Sequence, residues 1–313
     1  MTFTNFHLTP SAVCMFPGLG AEYPDMLPAF CRQHPWAEAL IGEWEKLIGK
    51  SFLSNAPDNA MDREYIRQLR IHCLNLLWWR VACIARGDRI ICCGHSLGYY
   101  AALVAAGVLT EEASWFWLTT VFQEAWRDFS EHSSRIEVLT TTVAIDPYRL
   151  ARQFNVEVIA RNSSQQLVIH GPQANINQLC DSLKWASLRR SDLGTVIPFH
   201  SIAMCRVSEK LLKIGEQHRG MFNTPHYEVW SHLTGSPLDS VESIYLTLLE
   251  QPMRTVNWQL LIQNLSNRFQ PVFIEIGPNR ILSQLVRWSN PQANTRHVDH
   301  IRKENHRMRG ETA

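Results

Sequence analysis

The stretch Gly94-His95-Ser96-Leu97-Gly98 constrains this chain more than any other. It follows Arg89-Ile90-Ile91-Cys92-Cys93, an apolar run that reads as a buried strand, and precedes Tyr99 to Val108, whose alanine and leucine content predicts a helix. A serine bracketed by glycines between a buried strand and a helix is a nucleophile elbow: small flanking residues permit a strained turn that lifts the hydroxyl clear of the sheet. Ser96 is therefore the candidate nucleophile. The same turn aims the Leu97 N–H at the place where an oxyanion would form, and the positive end of the following helix adds to it.

A serine hydroxyl needs a base. The chain offers His200, in Ile197-Pro198-Phe199-His200-Ser201, and the rival His95 beside the serine. Adjacent residues on a sharp turn point apart, so His95 is expected to pack or to orient the turn. On the residues alone, a packed or hydrogen-bonded histidine explains His200 more often than a catalyst does.

The elements around the elbow indicate an α/β fold. Val13-Cys14-Met15-Phe16 reads as a second buried strand emptying into Pro17-Gly18-Leu19-Gly20, followed by a helix carrying Met26, Leu27 and Phe30 and another from Asp62 to Ala85. From about Arg135 the texture changes: Ile136 to Ile145 strand, Pro147 to Phe154 helix, Val156 to Asn162 strand, Gln166 to His170 strand, Gln173 to Leu183 helix, Leu188 to Pro198 strand. That order, βαββαβ, is the ferredoxin-like unit. Helical pattern resumes over Met204 to Gln217, and a late strand, Val272 to Ile276, meets the loop Gly277-Pro278-Asn279 before a helix from Ile281 to Trp288. The expected organisation is a large hydrolase-like domain with a parallel sheet (1–134 and 199–300), an inserted ferredoxin-like subdomain (135–198) and a mobile basic tail (301–313).

Composition excludes several functions. Lysine plus arginine number 30 against 29 acidic residues, so no global field draws the 313-residue chain to nucleic acid or to a membrane. The N-terminus shows no basic flank with an apolar run behind it, and no segment approaches the roughly 20 apolar residues of a membrane span, which predicts a cytoplasmic, soluble protein. The eight cysteines form no Cys-x-x-Cys pair and the 13 histidines no His-x-x-x-His spacing, so neither a disulfide framework nor a metal site is expected. Cys14, Cys92 and Cys93 read as small buried apolar residues.

In sum, these residues resemble the malonyl-CoA:acyl carrier protein transacylases and the acyltransferase domains of polyketide synthases. Phe16-Pro17-Gly18-Leu19-Gly20 is similar to the family's Phe-Pro-Gly-Gln-Gly loop, and Gly94 to Gly98 to its nucleophile signature. Asn162-Ser163-Ser164-Gln165-Gln166 resembles its Asn-Ser-Pro-x-Gln strand, Phe199-His200-Ser201 its histidine segment, Gln251 to Trp258 its Gln-x-x-x-Pro-Val-x-Trp stretch, and Glu275-Ile276-Gly277-Pro278 its Glu-x-Gly-Pro loop. The resemblance implies Ser96 as nucleophile, His200 as general base, the N–H groups of Leu19 and Leu97 as oxyanion hole, and a Gln251 backbone carbonyl orienting the histidine. It implies no bound cofactor. The acyl carrier would be coenzyme A or the phosphopantetheine of an acyl carrier protein, and the enzyme would act as a monomer.

Three departures matter. Members that load malonyl groups hold the free carboxylate with an arginine a few residues before a Gln-Glu-Ala stretch; here Ser114 to Phe122, before Gln123-Glu124-Ala125, contains no cation. Arg127 lies nine positions after Leu118, on the opposite helix face. A buried carboxylate without a cationic partner is costly, so an uncharged acyl group is expected, in a pocket of His95, Trp117, Leu118, Asn162 and Phe199. Leu19 replaces the family's glutamine, and Tyr99 the glutamate that commonly follows the elbow. These changes fit a divergent stand-alone member resembling trans-acting acyltransferases and acyl hydrolases. Transfer between thioesters, probed against an editing acyl-carrier-protein hydrolase with the same Ser96 and His200 and against an inactive carrier-binding homologue, is the leading expectation. An acidic carrier would dock on a basic rim drawn from Arg189, Arg190, Arg280, Arg287, Arg302, Lys303, Arg307 and Arg309.

Overall fold

Strands buried on both faces lose the polar alternation of a surface strand, and two such runs lie at the centre of this molecule. The computed structural model describes residues 12–53, 57, 59–82, 89–130 and 135–308. In it, Ala12–Phe16 (β1) and Ile90–Gly94 (β2) are buried throughout and run parallel, Ala12 beside Ile90 and Phe16 beside Gly94.

Between them lie the helices Met26–Gln33 (α1), Trp36–Ile48 (α2) and Ala60–Val81 (α3), and after β2 come Gly98–Ala105 (α4) and Glu111–Phe129 (α5). The middle of the chain is Arg135–Thr140 (β3), Pro147–Phe154 (α6), Glu157–Arg161 (β4), Gln166–Gly171 (β5), Gln173–Ser182 (α7) and Arg189–Asp192 (β6). The remainder is Cys205–His218 (α8), Glu228–Val229 (β7), Val241–Glu250 (α9), Trp258–Phe269 (α10), Val272–Glu275 (β8), Ile281–Ser289 (α11), Asn294–His297 (β9) and Val298–Met308 (α12).

The large sheet has the order β7-β2-β1-β8-β9 and all its pairings are parallel. Alternate residues serve two cores. Cys14, Phe16 and Cys92 pack with Leu74 of α3, Leu103 of α4 and Trp115 of α5, whereas Val13, Met15, Ile91 and Cys93 pack with Leu261 of α10 and Leu285 of α11. The small sheet is antiparallel, in the order β4-β5-β3-β6. Leu139, Leu167 and Ile169 turn towards Leu150 of α6 and Leu179 of α7, while Ile136 and Val168 face the large domain. The architecture is thus the α/β fold with a βαββαβ subdomain that the sequence predicts.

Details differ from expectation. β6 is shorter than the run 188–198, because Gly194 turns the chain at a positive φ of 69° and donates its N–H to Asp192 Oδ1 at 2.7 Å. α3 stops at Val81, and residues 83–88 lie outside the described ones. Residues 301–308, expected in the tail, continue α12: Val298 is buried, Ile301 packs three residues on against the main core, and Arg302 pairs with Asp299 at 3.0 Å. Residues 309–313, and with them Arg309, lie outside the described residues, as does the Arg307 side chain. The seven described cysteines are free thiols, and burial pushes that of Cys14 up to about 12. No helix among the described residues is long and apolar enough to cross a membrane.

Candidate active site

The elbow is closed by contact between backbones. A Cβ on Gly98 would fall 1.9 Å from Phe16 O, and one on Gly94 would fall 2.3 Å from Gly98 O and Tyr99 N, so no side chain fits at either flank. The crossing leaves Ser96 in the left-handed region, with φ 53°. Phe16 O accepts the His95 N–H at 2.9 Å, which fastens the elbow to the end of β1. The Pro17–Gly20 loop closes over it: a Cβ on Gly18 would stand 2.6 Å from His95 O, and Leu19 lines the cavities beside Ser96.

His200 reaches the serine from the opposite side. Its Nε2 lies 2.6 Å from Ser96 Oγ. On the other edge of the ring, Nδ1–H donates to Gln251 O at 2.9 Å and to Arg254 O at 3.2 Å. Two carbonyls can only accept, so they fix the tautomer that leaves the Nε2 lone pair for the serine proton. Burial, reinforced by neighbouring His95, lowers the His200 imidazole to about 4, against the opposing pull of the two carbonyls. At neutral pH the ring is therefore uncharged. His200 is itself at φ 70°, held by its N–H to Pro252 O at 2.5 Å.

His95 is engaged elsewhere, as a turn-orienting residue would be. Its Nε2–H donates to Asn162 Oδ1 at 2.8 Å, Asn162 donates to Gln166 Oε1 at 2.8 Å, and Gln166 donates to Thr140 Oγ1 at 3.0 Å. This chain of amides ties the elbow to the small sheet.

Two cavities meet at Ser96. The larger, of about 410 Å³, runs between the small sheet and α11; His95, Asn162 and Phe199 line it near the serine, and Ile136, Val168 and Leu285 line its apolar length. Glu275 supports that wall by accepting the Leu282 and Ser283 N–H groups at the start of α11, and burial raises its carboxyl to about 7. The smaller cavity, of about 30 Å³, lies on the other side and is bounded by Gln68, Tyr100, Leu118, Val121 and Pro252. Among the described residues, the one cation that lines either cavity, Arg67, is occupied: it pairs with Glu22 and donates to Gly194 O at 2.7 Å and Leu193 O at 3.1 Å.

Leu118 thus stands at the serine, but Trp117 does not. Neighbours on a helix are about 100° apart, and Trp117 points away into a cluster with Phe116, His218 and Phe222. It lines neither cavity at Ser96, which corrects its assignment to the pocket. Tyr99 is fully buried, its ring 5.0 Å from that of His232, which stands edge-on 6.3 Å from His200. Gln68, Val121 and His232 escaped the sequence analysis because each sits in an ordinary helical or loop pattern; only Gln68, a polar residue on a buried helix face, left a signal.

Of the arginines and lysine expected on a basic rim, Arg189 is exposed on β6, Arg280 and Arg287 are exposed at α11 where they contact His300 and Thr295 Oγ1 (3.1 Å), Arg190 is engaged by Glu137 and Lys303 by Asp299. Among the described residues no group of three or more histidine, cysteine or acidic side chains could hold a metal ion.

A family model described as acyl transferase domain matches residues 85–305. The non-reducing polyketide synthase nscA of Trichophyton tonsurans is 24% identical over 301 residues, which cover 91% of this chain and 17% of that protein, so the chain spans less than a fifth of its length. The malonyl CoA-acyl carrier protein transacylase of Bacillus subtilis is 25% identical over 293 residues, 87% of this chain and 70% of that one. Among solved structures, the complex of a type II polyketide synthase acyl-carrier protein with its malonyl-transacylase superimposes with a TM-score of 0.80 at 22% identity, over 92% of this chain and 95% of that chain.

Proposed function

We propose, from the premise that this chain belongs to the acyl transferase domain family, that it moves an uncharged, short acyl group between thioesters of acyl carrier protein or coenzyme A through an ester on Ser96. The observation that carries the reading is the Ser96–His200 contact, with the far side of the imidazole held on carbonyls. Neutral His200 takes the serine proton through Nε2 as Oγ attacks the thioester carbon. The developing oxyanion is received by the N–H groups of Leu97 and Leu19. Collapse breaks the carbon–sulfur bond, the proton passes from Nε2 to the departing sulfur, and the acyl group remains as an ester. A second thiol gives its proton to Nε2, attacks that ester and restores Ser96.

The two cavities divide the substrate. A pantetheine arm is long and only the larger cleft can receive it, so the acyl chain projects into the smaller one. Among the described residues its lining holds no cation, only neutral donors such as those of Gln68 and Tyr100, which disfavours malonyl by the cost of burying an unpaired charge. A space of about 30 Å³ suits an acetyl-sized group. The carrier's acidic surface would meet Arg189, Arg280 and Arg287, in keeping with the carrier-protein complex of the structural neighbour.

Intact mass after mixing with acetyl-, hexanoyl- or malonyl-loaded carrier protein tests this. The acetyl adduct should form on the wild type and be absent from Ser96→Ala, and Leu118→Arg should raise malonyl loading at the expense of acetyl. Malonyl loading by the wild type as fast as acetyl would sink the specificity. Free acid in place of acyl transfer would assign the same site to hydrolysis.

A further inference from the structure

We infer that Glu157, on the edge strand of the small subdomain, is a positioning residue for His200, holding in place the backbone that follows it. Its Oε1 accepts the Ile202 N–H at 2.8 Å and its Oε2 accepts the Ser201 hydroxyl proton. Ser201 Oγ in turn accepts the Ala203 N–H at 3.1 Å, capping the short turn Ile202–Met204 that joins His200 to α8. One carboxylate therefore closes both residues after the base.

The same strand also reaches the segment that orients the ring. Arg161 N–H donates to Val256 O at 2.7 Å, Val256 N–H to Ile159 O at 3.0 Å, and Thr255 Oγ1–H to Val158 O at 3.3 Å. These contacts fasten β4 to the chain just after Gln251 and Arg254, whose carbonyls receive Nδ1–H. Strand β4 thus grips the two pieces of backbone whose relative placement sets where Nε2 points.

A residue at φ 70° keeps that conformation only where its surroundings over-determine it. After His200, Glu157 supplies two hydrogen bonds from the small subdomain, and a charged acceptor makes stronger hydrogen bonds than a neutral one. His170, opposite Glu157 in the sheet with Nδ1 3.6 Å from Oε2, steadies the carboxylate from behind. Glu157 touches neither cavity at Ser96, so it acts through His200 and not on the substrate.

The proposal rests on His200 being the base, and the test separates the two. In full-length enzyme, Glu157→Ala should lower kcat for acetyl transfer about tenfold with KM within about twofold, because a misplaced base slows chemistry and leaves binding intact. Glu157→Gln should retain part of the rate, since its amide oxygen can still accept one N–H. In a His200→Ala background, Glu157→Ala should leave the residual rate unchanged. An unchanged kcat in both Glu157 variants, or a drop in the His200→Ala background equal to that in the wild type, would overturn the role. A His200→Ala variant with wild-type rate would overturn the base itself. Should Glu157→Ala fail to fold, the isosteric Gln variant, checked by its melting temperature, decides alone.

Discussion

The nucleophile and the base of this site are both strained residues, Ser96 at φ 53° and His200 at φ 70°, but they are held by different means. The elbow is locked by close packing: Gly94 and Gly98 bring three backbones, that of Phe16 at the end of β1 among them, into contact, and the restraint is steric. The base is locked by partners far along the chain: carbonyls of Gln251, Pro252 and Arg254, about fifty residues away, and the carboxylate of Glu157 on the other subdomain. A steric lock fails completely when one methyl group is added. A lock made of several hydrogen bonds fails by degrees.

The largest effect should therefore come from Gly98→Ala. The new Cβ would sit 1.9 Å from Phe16 O and 2.5 Å from Phe16 C, atoms of a central buried strand that cannot yield. A loss above about 4 kcal/mol is expected, in the range reserved for severe core disruption. Urea unfolding, or the absence of soluble folded protein, measures it. A stable and active Gly98→Ala enzyme would remove the steric half of the contrast.

The same difference decides what could be read from the sequence. The elbow was legible because its signature is local: glycine spacing, an apolar strand before and a helix after. The small subdomain was legible too, since the alternation that sends Leu167 and Ile169 to one face and Val168 to the other is a pattern of period two. The base was visible only as a histidine. Every residue carries a carbonyl, so nothing in the side chains marks Gln251 and Arg254 as its partners; the family resemblance named Gln251, and Arg254 went unread. Glu157 looked like one polar residue of a strand, because its role depends on Ser201 lying 44 residues on. Trp117 and Leu118 were indistinguishable as apolar helix residues until the helix phase was fixed by packing.

A second, intermediate effect concerns protons. His200 must be neutral to accept from Ser96, and burial lowers it to about 4. The acylation rate should stay level as pH falls from 7 through the range where an exposed histidine titrates, and then drop tenfold per unit below about 4. Stability moves in the same direction. Burial keeps His72, His95, His200 and His232 uncharged in the fold, while unfolded histidines bind protons near 6.5, so acid favours the unfolded chain below that pH. Acylation measured within a brief pH jump, with circular dichroism alongside, separates the two. A rate that halves near pH 6.5 on folded protein would show a base exposed to water, not one sealed between two subdomains.

The smallest effect should follow Gln251→Ala, and its smallness is informative. In sites where a carboxylate side chain orients the histidine, its removal lowers kcat about 10⁴-fold, because the wrong tautomer is left facing the nucleophile. Here the acceptor is the main-chain oxygen of residue 251, which the substitution keeps, and Arg254 O stands 0.3 Å further off as a second acceptor (2.9 Å against 3.2 Å). The tautomer should survive. What goes is the buried amide beside Tyr100 and Leu118 at the small cavity, so the rate should fall less than about tenfold while acyl-chain preference shifts towards longer groups. Steady-state kinetics with acetyl and hexanoyl thioesters read both quantities. A loss approaching 10⁴-fold would mean that the side chain, and not the backbone, holds His200, and the base would then be as exposed to single substitutions as the elbow is.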